Sequence, residues 1–231
     1  MILKTALLFQ GGNFVGREYD RALREAGRRP DLTIAVGRMA EASAAREVAR
    51  TGGRWNPPAI PADETVREFD SLADPGLWSL IHAREIDVAI QGGLGILKPD
   101  MLAAPRIGFV NVHPGALPAY RGNSCPEWAL REGAPITATA HLIDEGIDTG
   151  PAICARPMAL EPDWDYEDIR ARLYRHCAAV LIEALERLEA DGPNCVTAQD
   201  EARAIYREPM PETMLNSLKD TLRRKARASA A

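Results

Sequence analysis

The chain has 231 residues, 46% hydrophobic and 26% charged, enough for one domain with a sizeable core and too few for a second complete one. Its net charge of −5 argues against a general binder of nucleic acid or anionic membrane, while leaving room for a local basic pocket. The four cysteines, Cys125, Cys154, Cys177 and Cys195, form no Cys-x-x-Cys pair, which disfavours a zinc ribbon or a thioredoxin-like motif and fits reduced, partly buried thiols.

In chain order, Met1 to Lys4 lacks the long apolar core of a signal peptide, and no run reaches the ~18 apolar residues of a membrane span, so a cytoplasmic protein is expected. Ile2 to Phe9 reads as the first strand of a parallel sheet. The loop Gln10 to Gly16 and a helix over Arg17 to Ala26, closed by Gly27, complete the usual start of a doubly wound α/β fold. The loop is not a dinucleotide fingerprint. Its glycines are not spaced Gly-x-Gly-x-x-Gly, and the second strand, Leu32 to Val36, ends in Gly37-Arg38 instead of an acidic residue. Its N–H groups either hold an anion at the helix N-terminus, with Arg17 and Arg38 as helpers, or form a plain tight turn.

Ala40 to Arg50 is Ala-rich and helical, and Thr51-Gly52-Gly53 stops it. Trp55, in the next loop, is expected to pack against the sheet. Leu77 to Arg84 is a further helix and Ile86 to Ile90 a buried strand. The loop Gln91 to Pro99 places glycines beside apolar side chains, which suits close approach to a flat ligand better than a simple crossover.

Ile107 to Val112 begins as another buried strand, which delivers two polar residues, Asn111 and His113. Residues i and i+2 of a strand point to the same side, so both can face one cavity. Pro114 keeps His113 extended, and Gly115, Pro118 and Gly122 force an irregular loop. Open α/β sheets place ligands where a strand ends this way. The alternative is a buried Asn and His that cap a turn. Asp148 follows in a Gly-bounded turn, and an Asn, a His and an Asp on neighbouring loops form a plausible acid/base set.

Cys125 lies in the loop before a helix over Pro126 to Arg131; without an evident partner it reads as a packing or lining residue rather than a nucleophile. Trp128 is expected in the core. Ile136 to Ile143 alternates like a strand, with His141 read as a hydrogen-bonded strand histidine, and Pro151 to Leu160 is the next strand. A long amphipathic helix runs from Tyr166 to Ala190, capped by Asp163 or Asp165 and ended by Gly192. Leu222 to Arg227 reads as a basic, solvated tail.

Asn111, His113-Pro114, Leu117 to Gly122, Pro126 to Leu130, His141 and Asp148 to Gly150, in this order, resemble the folate-dependent formyltransferase family. The resemblance is carried by residues 86–160, and Gln199, Tyr206 and Pro209 are similar to the family's closing segment. It implies a Rossmann-like, doubly wound, mostly parallel sheet with an antiparallel strand extension and a long C-terminal helix. It implies a catalytic domain over residues 1–192 and an extension over 193–231. It assigns catalysis to Asn111, His113 and Asp148, and the folate to Gly93, Leu94, Ile96, Leu97, Asp144 and Gly146. It assigns the acceptor to Gly11, Gly12, Asn13, Tyr120, Arg121 and Gly122.

The implied reaction moves a formyl group from 10-formyltetrahydrofolate, without a metal, to a primary amine. Such a transfer needs an oxyanion donor, a proton acceptor and a proton donor. Asn111 can hold the oxyanion without titrating, His113 titrates near neutrality, and Asp148 can orient the imidazole. Among the family's acceptors, the net charge and the short segment after the core disfavour tRNA, and Pro126 with Trp128 is unlike the ribotide branch. A nucleotide-linked amino sugar is the expected acceptor, with a homodimer and with no nucleic-acid or membrane partner. Glycinamide ribotide, hydrolysis of the formyl donor, and a non-catalytic folate-binding protein are the alternatives. Gly115-Ala116 departs from the Ser-Leu common after His-Pro in the family.

Overall fold

The computed structural model describes residues 2–38 and 42–229. Seven strands form one sheet in the order β3-β2-β1-β4-β5-β7-β8. Strands β1 (Thr5–Gln10), β2 (Leu32–Val36), β3 (Val66–Phe69), β4 (Val88–Gln91) and β5 (Gly108–His113) run parallel, and β7 (Thr137–Leu142) and β8 (Ala152–Pro157) add antiparallel. The central strands are buried on both faces, which is why β1 and β2 read as mostly apolar runs, with Thr33 the polar residue inside β2. β1 lies between β2 and β4, so the strand order reverses there and opens a crevice at the carboxyl ends of β1, β4 and β5.

One face is covered by α1 (Phe14–Glu25) and α6 (Tyr166–Asp191), whose Tyr19, Leu23, Leu181, Leu185 and Leu188 join Leu7, Phe9, Val110 and Val112 in the main core. The other face packs Leu77 and Ile81 of α3 (Pro75–Ala83) on Leu8, Ile34, Ala89 and Phe109. Helix α6 starts with a reciprocal cap. The Asp165 carboxylate accepts from the Asp168 amide at 3.1 Å and the Asp168 carboxylate accepts from the Asp165 amide at 3.3 Å. Gly192, at φ +61°, ends it.

Helix α2 is described over Ala42–Arg50; Ala40 of the expected helix lies outside the described residues. α4 (Pro99–Leu102) is one short turn, and α5 (Cys125–Glu132) begins one residue before the expected Pro126. Three parts of the fold have no counterpart in the sequence reading. The edge strand β3 is one. The second is a two-stranded ribbon of β6 (Arg121–Gly122) and β9 (Tyr206–Arg207). The third is α7 (Glu212–Ser229), which contains the expected solvated tail as a regular helix; Leu218 and Ala226 are buried and Leu222 packs on the cluster of Ile136, Ile169 and Leu173. Trp55 is buried as expected, but on α1 and not on the sheet: it meets Phe14 edge-on at 6.1 Å and donates its indole N–H to Glu18. Trp128 is only half-buried. Its indole donates to the Glu208 carbonyl at 2.8 Å, and the Arg207 guanidinium lies 5.8 Å from its ring centre, so it anchors the C-terminal segment instead of filling the core.

Among the described residues no helix is long and apolar enough to cross a membrane.

Candidate active site

β5 delivers Asn111 and His113 to the crevice, and β7 pairs with it so that His141 lies directly across from Asn111. The loop between β7 and β8 folds back on itself. The Asp144 carboxylate accepts from the Gly146 amide at 3.1 Å and from the Thr149 hydroxyl. At Gly150 a side chain would run into the Leu142 carbonyl, so the loop can turn this tightly only with glycine there. The turn presents Asp148 with φ +57°, a left-handed conformation that costs a non-glycine residue about 1–2 kcal/mol.

Four side chains meet there. The His113 Nε2–H donates to the Tyr120 carbonyl at 2.7 Å, which leaves Nδ1 free, 3.4 Å from Asp148 Oδ2. The His141 Nδ1–H donates to the Leu142 carbonyl at 2.9 Å, so its Nε2 accepts from Asn111 Nδ2 at 3.2 Å and faces Asp148 Oδ1 at 3.8 Å. Asp148 thus sits between two histidines, and its Oδ2 also accepts the Gly122 N–H at 3.0 Å. Burial pushes both imidazoles below their ordinary value of 6.5, with the Asp148 carboxylate opposing the shift in each.

Two cavities open on either side of this group. The first, about 260 Å³, is walled by Leu94, Ile96, Leu97, Ile143 and Ile147, and Asn111, His141 and Asp148 face into it. The second, about 360 Å³, is lined by His113, Gly122, Ser124, Glu127, Arg50 and Arg170. Asn111 and His113 therefore serve different cavities, although both point to the same side of β5; Asp148 lines the first cavity and touches His113 and the Gly122 amide of the second.

Of the residues expected at the folate, Leu94, Ile96, Leu97, Asp144 and Gly146 line the first cavity. Gly93 does not. Its carbonyl accepts from Asn13 Nδ2 at 3.2 Å and a Cβ on it would meet the Asn13 side chain at 2.5 Å, so Gly93 exists to let the first loop come close. Of those expected at the acceptor, Gly122 lines the second cavity. Gly11 and Gly12 form a tight turn at φ +52° and +69°, and the Asn13 side chain caps α1 by accepting from Val15 N at 2.9 Å. The Arg17 guanidinium is committed to the Pro58 carbonyl. Tyr120 gives its carbonyl to His113 and its hydroxyl to Glu132 at 2.7 Å. The Arg121 side chain is fully buried and turned toward Gln199 and Glu201. His141 makes the hydrogen bonds expected of a strand histidine, to the Leu142 carbonyl and to Asn111, and it also lines the first cavity, as do Gln91, Ile143, Glu145 and Ile147.

Cys125 lines the second cavity as a buried thiol whose Sγ points to the Asn123 carbonyl at 3.7 Å; burial pushes it up to about 12, which disfavours the thiolate a nucleophile needs. Among the described residues no cluster of His, Cys, Asp or Glu could hold a metal ion.

A family model described as formyl transferase matches residues 8–185. A methionyl-tRNA formyltransferase of Roseiflexus sp. (strain RS-1) is 35% identical over 179 residues, which is 77% of this chain and 52% of that protein. The chain spans from about a third to about three-fifths of the length of the curated relatives it matches. Among solved structures, phosphoribosylglycinamide formyltransferase from Streptococcus pneumoniae TIGR4 is similar with a TM-score of 0.59 at 21% identity, covering 81% of this chain and 99% of that one. The formyltransferase PseJ from Anoxybacillus kamchatkensis, solved with UDP-4,6-dideoxy-4-formamido-L-AltNAc and tetrahydrofolate, gives 0.58 at 18% identity and covers 96% of both chains.

Proposed function

The chain belongs to the formyl transferase family, and from that premise we propose that it transfers a formyl group from 10-formyltetrahydrofolate to a primary amine, of a nucleotide-linked amino sugar. The observation that carries the reading is the Asp148 carboxylate held between His113 and His141, beside Asn111, with one cavity on each side. The apolar walls of the first cavity suit the flat, largely apolar pterin end of the formyl donor, and the second cavity admits the amine.

Each residue then has a task set by its bonds. Asn111 Nδ2 gives one N–H to His141, and its second N–H is available to the oxygen of the formyl group as that oxygen gains charge. His113 is neutral with its proton on Nε2, and its free Nδ1 takes the proton that the attacking amine sheds. Asp148, 3.4 Å away, stabilises the imidazolium so formed. The same nitrogen can return the proton to the leaving amine.

For the acceptor, the half-exposed guanidinium of Arg50 at the second cavity, held no closer than 3.9 Å to its Glu47 carboxylate partner, suits a phosphate. The net charge of −5 speaks against a long polyanion. A second reading, methionyl-tRNA as acceptor, is favoured by the 35% identity to a methionyl-tRNA formyltransferase. The test is to incubate purified protein with 10-formyltetrahydrofolate and, separately, UDP- and dTDP-linked amino sugars, glycinamide ribotide, methionyl-tRNA, or no amine, and to read products by mass spectrometry. A His113-dependent formylated sugar supports the first reading and formyl-methionyl-tRNA the second. Free formate without any amine identifies a hydrolase and removes both.

A further inference from the structure

The segment after α6 does not trail away from the site. Thr197 and Ala152 exchange two backbone hydrogen bonds of 2.8 Å, the Ile205 carbonyl accepts from the Arg121 amide at 3.0 Å, and the Asn123 amide donates to the Arg207 carbonyl at 2.8 Å. Within this lacing, the Gln199 amide donates both of its N–H groups to the Asp148 turn, to the Asp148 carbonyl at 2.9 Å and to the Gly150 carbonyl at 2.7 Å. Its Oε1 in turn accepts from Arg121 Nη2 at 2.8 Å. Arg121 is held by Glu201 through two bonds of 2.6 and 2.8 Å. Gln199 and Glu201 lie beyond residue 185, where the family match ends.

We propose that Gln199 is a positioning residue for Asp148, and that the docked segment around it is a working part of the reaction centre. The physical need is clear from the backbone. Asp148 holds φ +57°, and such a conformation persists in a non-glycine residue only when its surroundings fix it. Two restraints do so. The Gly122 N–H fixes the carboxylate from one side, and the two Gln199 N–H groups fix the carbonyls at residues 148 and 150 from the other. No other side chain type of that length carries two N–H donors and one acceptor on a single planar group, and Gln199 uses all of them. Releasing the carbonyls frees the turn to relax, and the carboxylate then leaves the space between His113 and His141. A displacement of about 1 Å at a reacting group costs on the order of 10²-fold in rate.

This inference rests on the formyl-transfer reading for its kinetic arm but not for its structural arm. The experiment compares wild type with Gln199→Ala and Gln199→Glu. The glutamate keeps the length and the partnership with Arg121, so the segment stays docked, but it removes both donors. Turnover is measured with 10-formyltetrahydrofolate and whichever amine wild type formylates, and exchange of the Gly122 amide hydrogen is followed by NMR. Both variants are expected to melt cooperatively, to lose about 10²-fold in kcat with KM for the folate changed by less than about threefold, and to lose protection at Gly122. If Gln199→Glu keeps wild-type turnover and wild-type protection at Gly122, docking alone suffices and the proposal is overturned. If wild type itself transfers no formyl group, the functional reading has failed on its own account. Gly122 protection then decides: unchanged in both variants it overturns the role of Gln199, lost in both it supports it.

Discussion

Asn111 and His141 are register partners on β5 and β7, and the amide of the first donates to the ring nitrogen of the second at 3.2 Å. The histidine thereby sets which way the asparagine presents its remaining N–H. Replacing Asn111 with Asp keeps the shape, removes both donors and turns a carboxylate toward an imidazole nitrogen that needs a hydrogen. Single-turnover formyl transfer is expected to fall by about 10²–10³-fold, with folate affinity nearly intact. A fall of less than about tenfold would remove Asn111 from the oxyanion role.

The buried imidazoles make stability depend on pH with a definite sign. Both His113 and His141 titrate below 6.5 in the folded chain because burial disfavours their charge. As pH drops through 6.5 the unfolded chain takes up protons that the folded chain refuses, so stability falls. The fall ends once pH passes below the folded values. Carboxylates such as Asp63, held low by the Thr65 hydroxyl and amide, contribute their loss only at more acid pH. Urea midpoints are expected to be lower at pH 5.5 than at 7.5, and the difference to shrink in His113→Gln. A midpoint that is flat over this range would contradict the burial of these rings.

Gly122 sits at φ +90°, and a Cβ there would lie 2.6 Å from the Arg207 carbonyl oxygen. Gly122→Ala meets both a disfavoured backbone conformation and a collision across β6 and β9. A loss of about 1–3 kcal/mol in urea denaturation is expected. Stability unchanged to within about 0.5 kcal/mol would mean that the ribbon is not closed as described.

The thiols offer a chemical check on packing. Cys125, Cys154 and Cys177 are buried and Cys195 is partly exposed. Burial pushes the thiols of Cys125 and Cys177 up to about 12, that of Cys154 up to about 11 and that of Cys195 upward as well, so exposure is what sets Cys195 apart. Ellman's reagent at pH 8 is expected to react quickly with one thiol in the native protein and with all four in denaturant. Fast reaction at Cys125 in the native state would reopen its reading as a nucleophile.

What could be read from the sequence follows the strength of local patterns. β2 and α6 were legible because one is an apolar run broken only by Thr33 and the other has a capping aspartate, an apolar stripe and a terminal glycine. β3 was not, because an edge strand reading Val-Arg-Glu-Phe is half exposed and has no buried run. α7 was not, because its buried face is only Leu218, Leu222 and Ala226 amid charge, a pattern that also describes a loose tail. In the site, Asn111 and His113 stood out as polar residues closing an apolar strand. His141 was legible as a hydrogen-bonded strand histidine, but its bond to Asn111 was not, because that partner lies across the sheet. Arg121 misled for the same reason: its partners Gln199 and Glu201 are 78 and 80 residues away along the chain.

That distance has a consequence for the order in which the molecule is finished during synthesis. A nascent chain that has cleared the ribosome only through α6 owns every strand of the main sheet and the whole long helix, and its hydrophobic core can close. Its Arg121, however, has as yet no counterion, β6 has no second strand, and nothing holds the carbonyls at residues 148 and 150. The core and the reaction centre therefore draw on different stretches of chain, and the second is incomplete without Gln199, Glu201, Tyr206 and Arg207.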